Sequence, residues 1–508
     1  NGIDVTLSIE LDGDAADGTN QLDSHSIKFG LGDMGTLTFA GHGGSSALGM
    51  KDDVVPQAYQ EPWDVVTGAE ADVIGGGGGN NGFLYTYSHD SGITLNASYV
   101  NAADAVTDVS YSDIGVEYSG VDGFTGSNTF YTPTQDFFNY TTGLTMTNSK
   151  FHNLFGQDPR DPKTEKVTQF HMDIASSIQQ VTEEIILKIS KSLRDEYKIS
   201  NLCLAGGVAL NCVANGKILK EKIFDNIWIQ PAAGDAGGSL GAALALWHID
   251  QGNKRSINPD DDMKGSYLGT EFNQNEIEKE LKNAGANFEI LKYEELISKT
   301  ADFLSNEKAI GWFQGRMEFG PRALGGRSIL GDPRSDKMQK NLNLKVKYRE
   351  SFRPFAPSVL REDLSEWFEM NVDSPYMLLV ANINSDKKIE MTSEQRNLFG
   401  IEKLNIKRSE IPAVTHVDYS ARVQTVTKKN NNRYYDLISK FKEKTGCPVI
   451  VNTSFNVRGE PIVNTPTDAF NCFMGTELDY LVIGDCILDK LKQDPNLKKD
   501  YTKEFELD

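Results

Sequence analysis

Positive charge is nearly absent from the first quarter of the sequence. Residues 1–124 hold 19 Asp and Glu against two basic residues, Lys28 and Lys51, and the first arginine is Arg160. Cysteine is scarce: Cys203, Cys212, Cys447, Cys472 and Cys486 are the five in 508 residues, with no CxxC pair. That usage excludes a disulfide framework and a sulfur-rich zinc site, and it points to a reduced compartment with thiols as small buried apolar groups. No apolar run approaches the roughly 18 residues of a membrane helix. Seven histidines are present, His25, His42, His89, His152, His171, His248 and His416, and no two are four apart. A helical His-x-x-x-His metal pair is therefore missing. No Ser-His-Asp or Cys-His grouping stands out, so a hydrolase has no support. The chain begins at Asn1 without an initiator Met or a signal peptide, which reads as a processed or missing start.

What is present divides into two kinds of polypeptide. Of 46 glycines, 21 fall in the first 124 residues, including the run Gly75–Gly79. In that region "IDVTLSIEL" alternates strictly, and the same period of two returns at Ile27–Leu31, Leu37–Phe39, Ile93–Tyr99 and Ile114–Tyr118. Period two marks strands with one apolar face. A tight "GDMG" turn at 32–35 and long acidic loops link them. In pieces such as "SHSIKFGLGDMGTLTFAGHGG" the segment resembles a Gram-negative trimeric-type porin, an outer-membrane protein. The alternative is a β-sandwich, and a closed barrel would need more strands than these.

From about residue 125 the pattern changes. Val167, Phe170, Ile174, Ile178, Val181, Ile185, Ile189 and Leu193 recur every three or four residues, which predicts a long amphipathic helix. A short strand at Leu202–Leu204, a Gly-Gly turn and a helix carrying Asn211 and Asn215 follow, then "NIWIQ" and "PAAGDAGGSLGAALAL". Strand, glycine turn and helix repeated in this way describe an α/β nucleotide-binding half, whose glycines let backbone N–H groups approach a phosphate. Asp235, in a glycine turn after a strand, is a candidate metal ligand, or else a turn or capping Asp. Residues 311–358 hold Arg316, Arg322, Arg327, Arg334, Lys345, Lys347, Arg349 and Arg353, interleaved with Phe319, Leu324, Ile329, Phe352 and Phe355. So many donors among apolar residues predict an anion clamp rather than a solvated basic face. Ser454 and Asn456, two apart in an extended segment, can address one ligand, although both are also common turn formers. His416, alone, reads as a hydrogen-bonded structural residue.

Six motifs in order, "LCLAGGVALNCVANGKIL", "PAAGDAGGSLGAAL", "GRMEFGPRALGGRSIL", "KYRESFRPFAPSVL", "AVTHVDYSARVQT" and "VNTSFNVRGEPIV", resemble the NodU/CmcH-type O-carbamoyltransferases from about residue 125 to the end. The resemblance implies a mixed α/β protein of an actin-like (ASKHA) carbamoyl-transfer domain and a YrdC-like domain. It implies carbamoyl adenylate formation from carbamoyl phosphate and ATP, then transfer to a hydroxyl of a small acceptor. It assigns catalytic roles to Lys347, Arg353, Ser454 and Asn456. Gly206, Gly207, Asn211, Asn215, Arg322 and Arg422 become ATP or phosphate contacts, and Asp235 a ligand to a divalent metal, iron or Mg/Zn. The family's His-Asp-Ala-Ser type loop and His-x-x-x-His pair have no match here.

The expected organisation is therefore a porin-like β segment at 1–124, a truncated ASKHA-like domain at 125–255 and a YrdC-like domain at 256–508. Such a chain reads as a carbamoyltransferase impaired by loss of half its transfer domain and joined to a porin fragment by fusion or assembly. The enzyme part is expected to be cytoplasmic, without nucleic acid or membrane insertion, and a homodimer is allowed. The alternatives are a tRNA threonylcarbamoyl-adenosine synthase, against which the C-terminal region lacks a basic surplus, and an outer-membrane channel resting on the first 124 residues alone.

Overall fold

The computed structural model describes residues 4–10, 24–42, 44–45, 78–79, 82–88, 93–100, 111–121, 124–131, 145–161, 164–256, 261–398 and 400–501. Most of the acidic loops and of the Gly75–Gly79 run lie outside them. The chain divides into two compact units, Asn1–Asp161 and Pro162–Asp508. The division falls later than the composition break at 124. The expected boundary at 255 lies inside the second unit.

The first unit contains strands β1 (Asp4–Glu10), β2 (Ser24–Gly30), β3 (Thr36–His42), β4 (Gly82–Ser88), β5 (Ile93–Val100), β6 (Tyr111–Val121) and β7 (Phe124–Tyr131), paired in chain order as an antiparallel meander. Val5 stands opposite Phe29, Phe29 opposite Leu37, and Leu37 opposite Tyr85. One row over, Leu7, Ile27, Phe39 and Phe83 align in the same manner, with the Phe39 and Phe83 rings 5.0 Å apart. Period two in the sequence thus becomes apolar rows on one sheet face. Val5 and Leu7 on that face are exposed. The predicted turn at 32–35 is a single 3-10 turn in which Gly35 N–H donates to Gly32 O.

The second unit opens with the predicted helix, α2 (Gln169–Tyr197; α1 is Ser149–Phe155 in the first unit). An amphipathic helix ordinarily buries its apolar stripe. Here the buried residues are Glu183 and Ser190. Glu183 pairs with Lys217, and Gln179 exchanges amide hydrogen bonds of 3.0 and 3.1 Å with Asn211, which fastens the polar face onto α3 (Cys212–Lys220). Strands β8 (Asn201–Leu204) and β9 (Asn226–Ile229) run parallel on either side of α3 in sequence, and α4 (Ala236–Ala245) follows. This is the strand–turn–helix repeat expected from the sequence.

The rest of the unit is built on a nine-stranded mixed sheet. Its strands are β10 (Glu289–Ile290), β11 (Ile310–Phe313), β12 (Arg327–Gly331), β13 (Ala356–Leu360), β14 (Leu379–Asn382), β15 (Ser420–Val426), β16 (Val449–Ser454), β17 (Tyr480–Ile483) and β18 (Cys486–Asp489). Their spatial order is β10-β18-β17-β11-β12-β16-β13-β15-β14. Pairs β11–β17 and β13–β15 are parallel and the others antiparallel. Helices α5 (Gln274–Asn283), α6 (Tyr293–Ser305), α7 (Asn432–Thr445) and α8 (Pro466–Gly475) bury Ile277, Leu296, Leu437 and Phe473, among others, in one core with the strands. Helix α3 meets the β14 edge closely. A Cβ on Gly216 would lie 2.4 Å from Val380 O, so only glycine permits the approach. Among the described residues no helix is long and apolar enough to cross a membrane.

Candidate functional site

The stretch from β11 to β12, "QGRMEFGPRALGG", has no regular structure, and its shape comes from a buried carboxylate. Glu318 Oε1 accepts from Leu324 N at 2.6 Å and Gly326 N at 2.7 Å, and Oε2 accepts from Arg327 N at 3.2 Å. The backbone donors of this glycine-rich loop therefore hold the protein's own anion. Asn452 Nδ2 donates to Ala323 O, Ser358 Oγ and Gln424 Oε1, and Gln424 Nε2 donates to Leu324 O, which ties the loop to β13, β15 and β16. Gly325 has φ +107° and a Cβ there would strike the Tyr434 ring, so the loop can turn only at glycine.

This fixed loop presents Arg322 to a cavity of about 380 Å³. Arg349, Arg353 and Phe355 line it from the segment leading into β13, Arg422 from β15, Ser454 from the end of β16 and Cys212 from the start of α3. Four guanidiniums border the cavity and, among the described residues, no carboxylate does, in a chain of net charge −21. Burial lowers the pKa of Arg322. Arg422 falls to about 10 through burial and the facing Arg322 charge, and Arg349 to about 10 through burial and Arg353. Arg322 Nε is buried with no hydrogen-bond partner, and Nη2 reaches Leu210 O only at 3.5 Å. Arg353 pairs with Glu350 at 2.9 Å, and Arg349 is held by Asn343 Oδ1 at 2.8 Å and lies over the Phe355 ring.

Lys347, Ser454 and Asn456 come together as the resemblance implies. The buried Lys347 ammonium donates to Ser454 Oγ at 3.0 Å, Asn456 Oδ1 at 2.7 Å and Asn456 O at 2.9 Å, and also to Ser454 O. Ser454 Oγ donates to Asn456 Oδ1 at 2.7 Å. Burial, with the Arg349 charge behind it, brings Lys347 down to about 7. Its place is beneath the cavity wall, where it sets the Ser454–Asn456 turn.

The structure divides the eight basic residues expected to converge. Arg316 pairs with Glu271 at the surface, Arg334 grips Asp332 through Nε and Nη2, and Lys345 pairs with Glu477. Arg327 is fully buried over the Phe313 ring, 3.5 Å from its centroid, and donates to the carbonyls of Gln314, Gly315, Gly326 and Thr270. These four are structural. His416, read as structural, bonds Ser420 through Nδ1 and also lines the cavity, neutral because burial drops it to about 4. Met377 is a lining residue outside every motif, and Cys212, inside the first of them, was given no role there.

The other candidates lie elsewhere. Asn211 caps α3 and bonds Gln179, and Asn215 is buried with its amide donating to Ala209 O and Leu378 O. Gly206, at φ +97°, and Gly207 face open space. Asp235 is exposed at the start of α4 and makes no capping bond. Among the described residues no three His, Cys, Asp or Glu side chains gather as a metal site, so Asp235 and its surroundings do not fit a bound metal. The four-arginine cavity, with its orphaned Arg322 donor, does fit a phosphate.

Two family models match this chain, "Carbamoyltransferase N-terminus" over residues 84–244 and "Carbamoyltransferase C-terminus" over residues 301–490. The N-terminal match crosses the boundary placed at 124, and the outer-membrane reading of residues 1–124 finds no support. A Synechocystis protein, sll1178, is 57% identical over 376 residues, 73% of this chain and 61% of that protein. Nodulation protein NolO of Bradyrhizobium diazoefficiens is 42% identical over 328 residues, 64% of this chain and 55% of the relative. The 3'-hydroxymethylcephem-O-carbamoyltransferase of Streptomyces clavuligerus is 31% identical over 284 residues, 56% and 48% of the two chains. The chain thus spans about half the length of the curated relatives it matches.

Proposed function

The chain belongs to the NodU/CmcH-type carbamoyltransferase family, and we propose that its four-arginine cavity activates a carbamoyl group with ATP as co-substrate. The observation that carries this reading is a small cavity bordered by Arg322, Arg349, Arg353 and Arg422 and, among the described residues, by no carboxylate. Converging guanidiniums match phosphate oxygens in shape and charge, and act most strongly where water is excluded. In the proposed reaction carbamoyl phosphate loses its phosphate to water. A carbamate oxygen then attacks the α-phosphorus of ATP, an O–P bond forms, and the α–β bridge breaks to release pyrophosphate. The arginines neutralise charge gathering on the departing groups, Lys347 holds Ser454 and Asn456 in place, and neutral His416 adds no charge. In the second step an acceptor hydroxyl oxygen bonds the carbamoyl carbon, AMP leaves, and the hydroxyl proton goes to solvent. We further propose that this chain alone completes the first step and is impaired in the second. A cavity of about 380 Å³ suits small substrates rather than tRNA.

The test is pyrophosphate release from ATP and carbamoyl phosphate. Arg353→Ala should lower it about a hundredfold, the usual loss of one charge-stabilising donor. Unchanged release would remove Arg353 from the site. Carbamoylation of an added alcohol at an ordinary enzymatic rate would end the impairment reading and leave the first step standing.

A further inference from the structure

The turn that carries Ser454 and Asn456 is held twice over. Lys347 grips its oxygens, and Glu460 takes its nitrogens: Asn456 Nδ2 donates to Glu460 O at 2.7 Å, and Val457 N donates to Glu460 Oε2 at 2.8 Å. Val463 N donates to Phe455 O at 3.0 Å and closes the loop, which passes through Gly459 at φ +77°. The other carboxylate oxygen, Oε1, accepts from the Tyr501 hydroxyl at 3.2 Å, from 41 residues further along the chain. Tyr501 is 4% exposed, and its ring occupies the space that a side chain on Gly475, the last residue of α8, would need. A phenol so deeply buried needs a partner for its hydroxyl, and here the partner is the carboxylate that orders the turn. Burial raises the Glu460 pKa, and the bonds from Val457, Cys472 and Tyr501 and the Lys347 charge oppose the rise. Burial and the Arg349 charge lower the Lys347 pKa, and Cys472 and Glu460 oppose them.

We propose that Glu460 and Tyr501 are positioning residues for the chemistry of the four-arginine cavity: the Tyr501 hydroxyl aims the Glu460 carboxylate, and Glu460 sets the Asn456–Val457 turn and keeps a negative charge acting on Lys347. Neither residue lines the cavity, and both work through Lys347, Ser454 and Asn456. Tyr501 lies beyond residue 490, where the C-terminal family match ends, so the control reaches the cavity from chain outside that match. Groups that stabilise a transition state lose most of their effect when displaced by about 1 Å, and a turn held from both sides resists such displacement. The inference rests on reading the cavity as the place of carbamoyl activation.

The experiment follows pyrophosphate release from ATP and carbamoyl phosphate by the full chain and two variants, with hydrogen exchange of the Val457 amide alongside. Tyr501→Phe keeps the buried ring and removes only the hydroxyl. It should lower kcat about tenfold with KM for both substrates near the parent values, the pattern of a group misplaced in the transition state, and it should speed exchange at Val457. Glu460→Gln keeps the shape and an acceptor for Val457 but removes the charge. Its alkaline limb in the pH–rate profile should move to lower pH, because Lys347 loses an attraction that favours its charged form. Parental kcat in Tyr501→Phe, or a loss of rate no larger than the fraction unfolded at the assay temperature, overturns the positioning role. An unmoved limb in Glu460→Gln overturns the action on Lys347. A parent chain that releases no pyrophosphate ends the cavity reading instead, and exchange at Val457 then decides alone: faster in Tyr501→Phe upholds the link from Tyr501 to the turn, and unchanged overturns it.

Discussion

Residues 164–256 and 261–501 are both α/β, lie in one unit and share the α3–β14 contact, yet they satisfy the rules of packing very differently. The nine-stranded sheet surrounds a continuous core that includes Trp312, Phe368, Phe441 and Phe455, each at most 1% exposed. From residues 164–256 the buried members of that core are Ala209, Ile229 and Ala233, with Leu204, Leu210, Leu219, Ile227 and Leu240 packed partly buried against it. The difference lies in what each amphipathic element faces. Every helix over the large sheet turns its apolar stripe inward, whereas α2 turns Glu183 and Ser190 inward. Hydrophobic spacing establishes that a helix has two faces, and the neighbours decide which one is buried.

The largest effect expected from this comparison is on stability. Trp312→Ala, which empties a fully buried site and abandons the bond to Gly325 O, should cost about 3–5 kcal/mol. Ile185→Ala on the exposed stripe should stay within about 0.5 kcal/mol. Urea denaturation of both variants measures it, and equal costs would mean that the α2 face is covered in the free chain.

A smaller effect is expected from pH. Lys347 is held at about 7 against an ordinary 10.5, so raising pH through 7 removes its charge from beneath the cavity. Pyrophosphate release should fall between about pH 6 and 8 by several-fold, and Lys347→Met should lower the rate and flatten that limb. The stability effect has the opposite sign. The unfolded chain binds the extra proton between about 7 and 10.5, so the burial penalty is complete below pH 7 and is relieved as pH rises across that window. A pH-rate profile beside a pH-stability profile separates the two. The smallest effect belongs to Arg316→Ala: a surface ion pair is lost, and activity and stability should both stay near the parent values.

Much of this was legible in the sequence. Alternation gave the strands at 4–10, 24–30 and 93–100, and three-and-four spacing from Val167 to Leu193 located α2, which begins two residues later and ends four residues later. Gly206 does stand at positive φ between a strand and a helical turn. Resemblance, rather than spacing, brought Lys347, Ser454 and Asn456 together, since partners 107 and 109 residues away meet only in the folded sheet. Spacing alone did not say which arginines face the cavity, although the resemblance named Arg322, Arg353 and Arg422, which line it beside Arg349. Arg334 is claimed by Asp332, two residues earlier and readable in retrospect, but Arg327 is claimed by Phe313 and by carbonyls that only the β11–β12 pairing brings near. The role of Glu318 was hidden for the same reason, because a backbone cradle closes only when the loop does.

The Asn452–Ser358–Gln424 ties have a consequence for melting behaviour. They pin the loop bearing Arg322 to the strands bearing Arg422, so like charges cannot drift apart to ease their repulsion. In such a rigid frame the native state carries an electrostatic burden that the unfolded chain lacks, and any oxyanion that enters lifts it. Inorganic phosphate should therefore raise the melting temperature at constant ionic strength, beyond what chloride achieves by screening. The protein would then use a bound oxyanion's charge as a structural counterion, most robust when the cavity is filled and softest when it is empty.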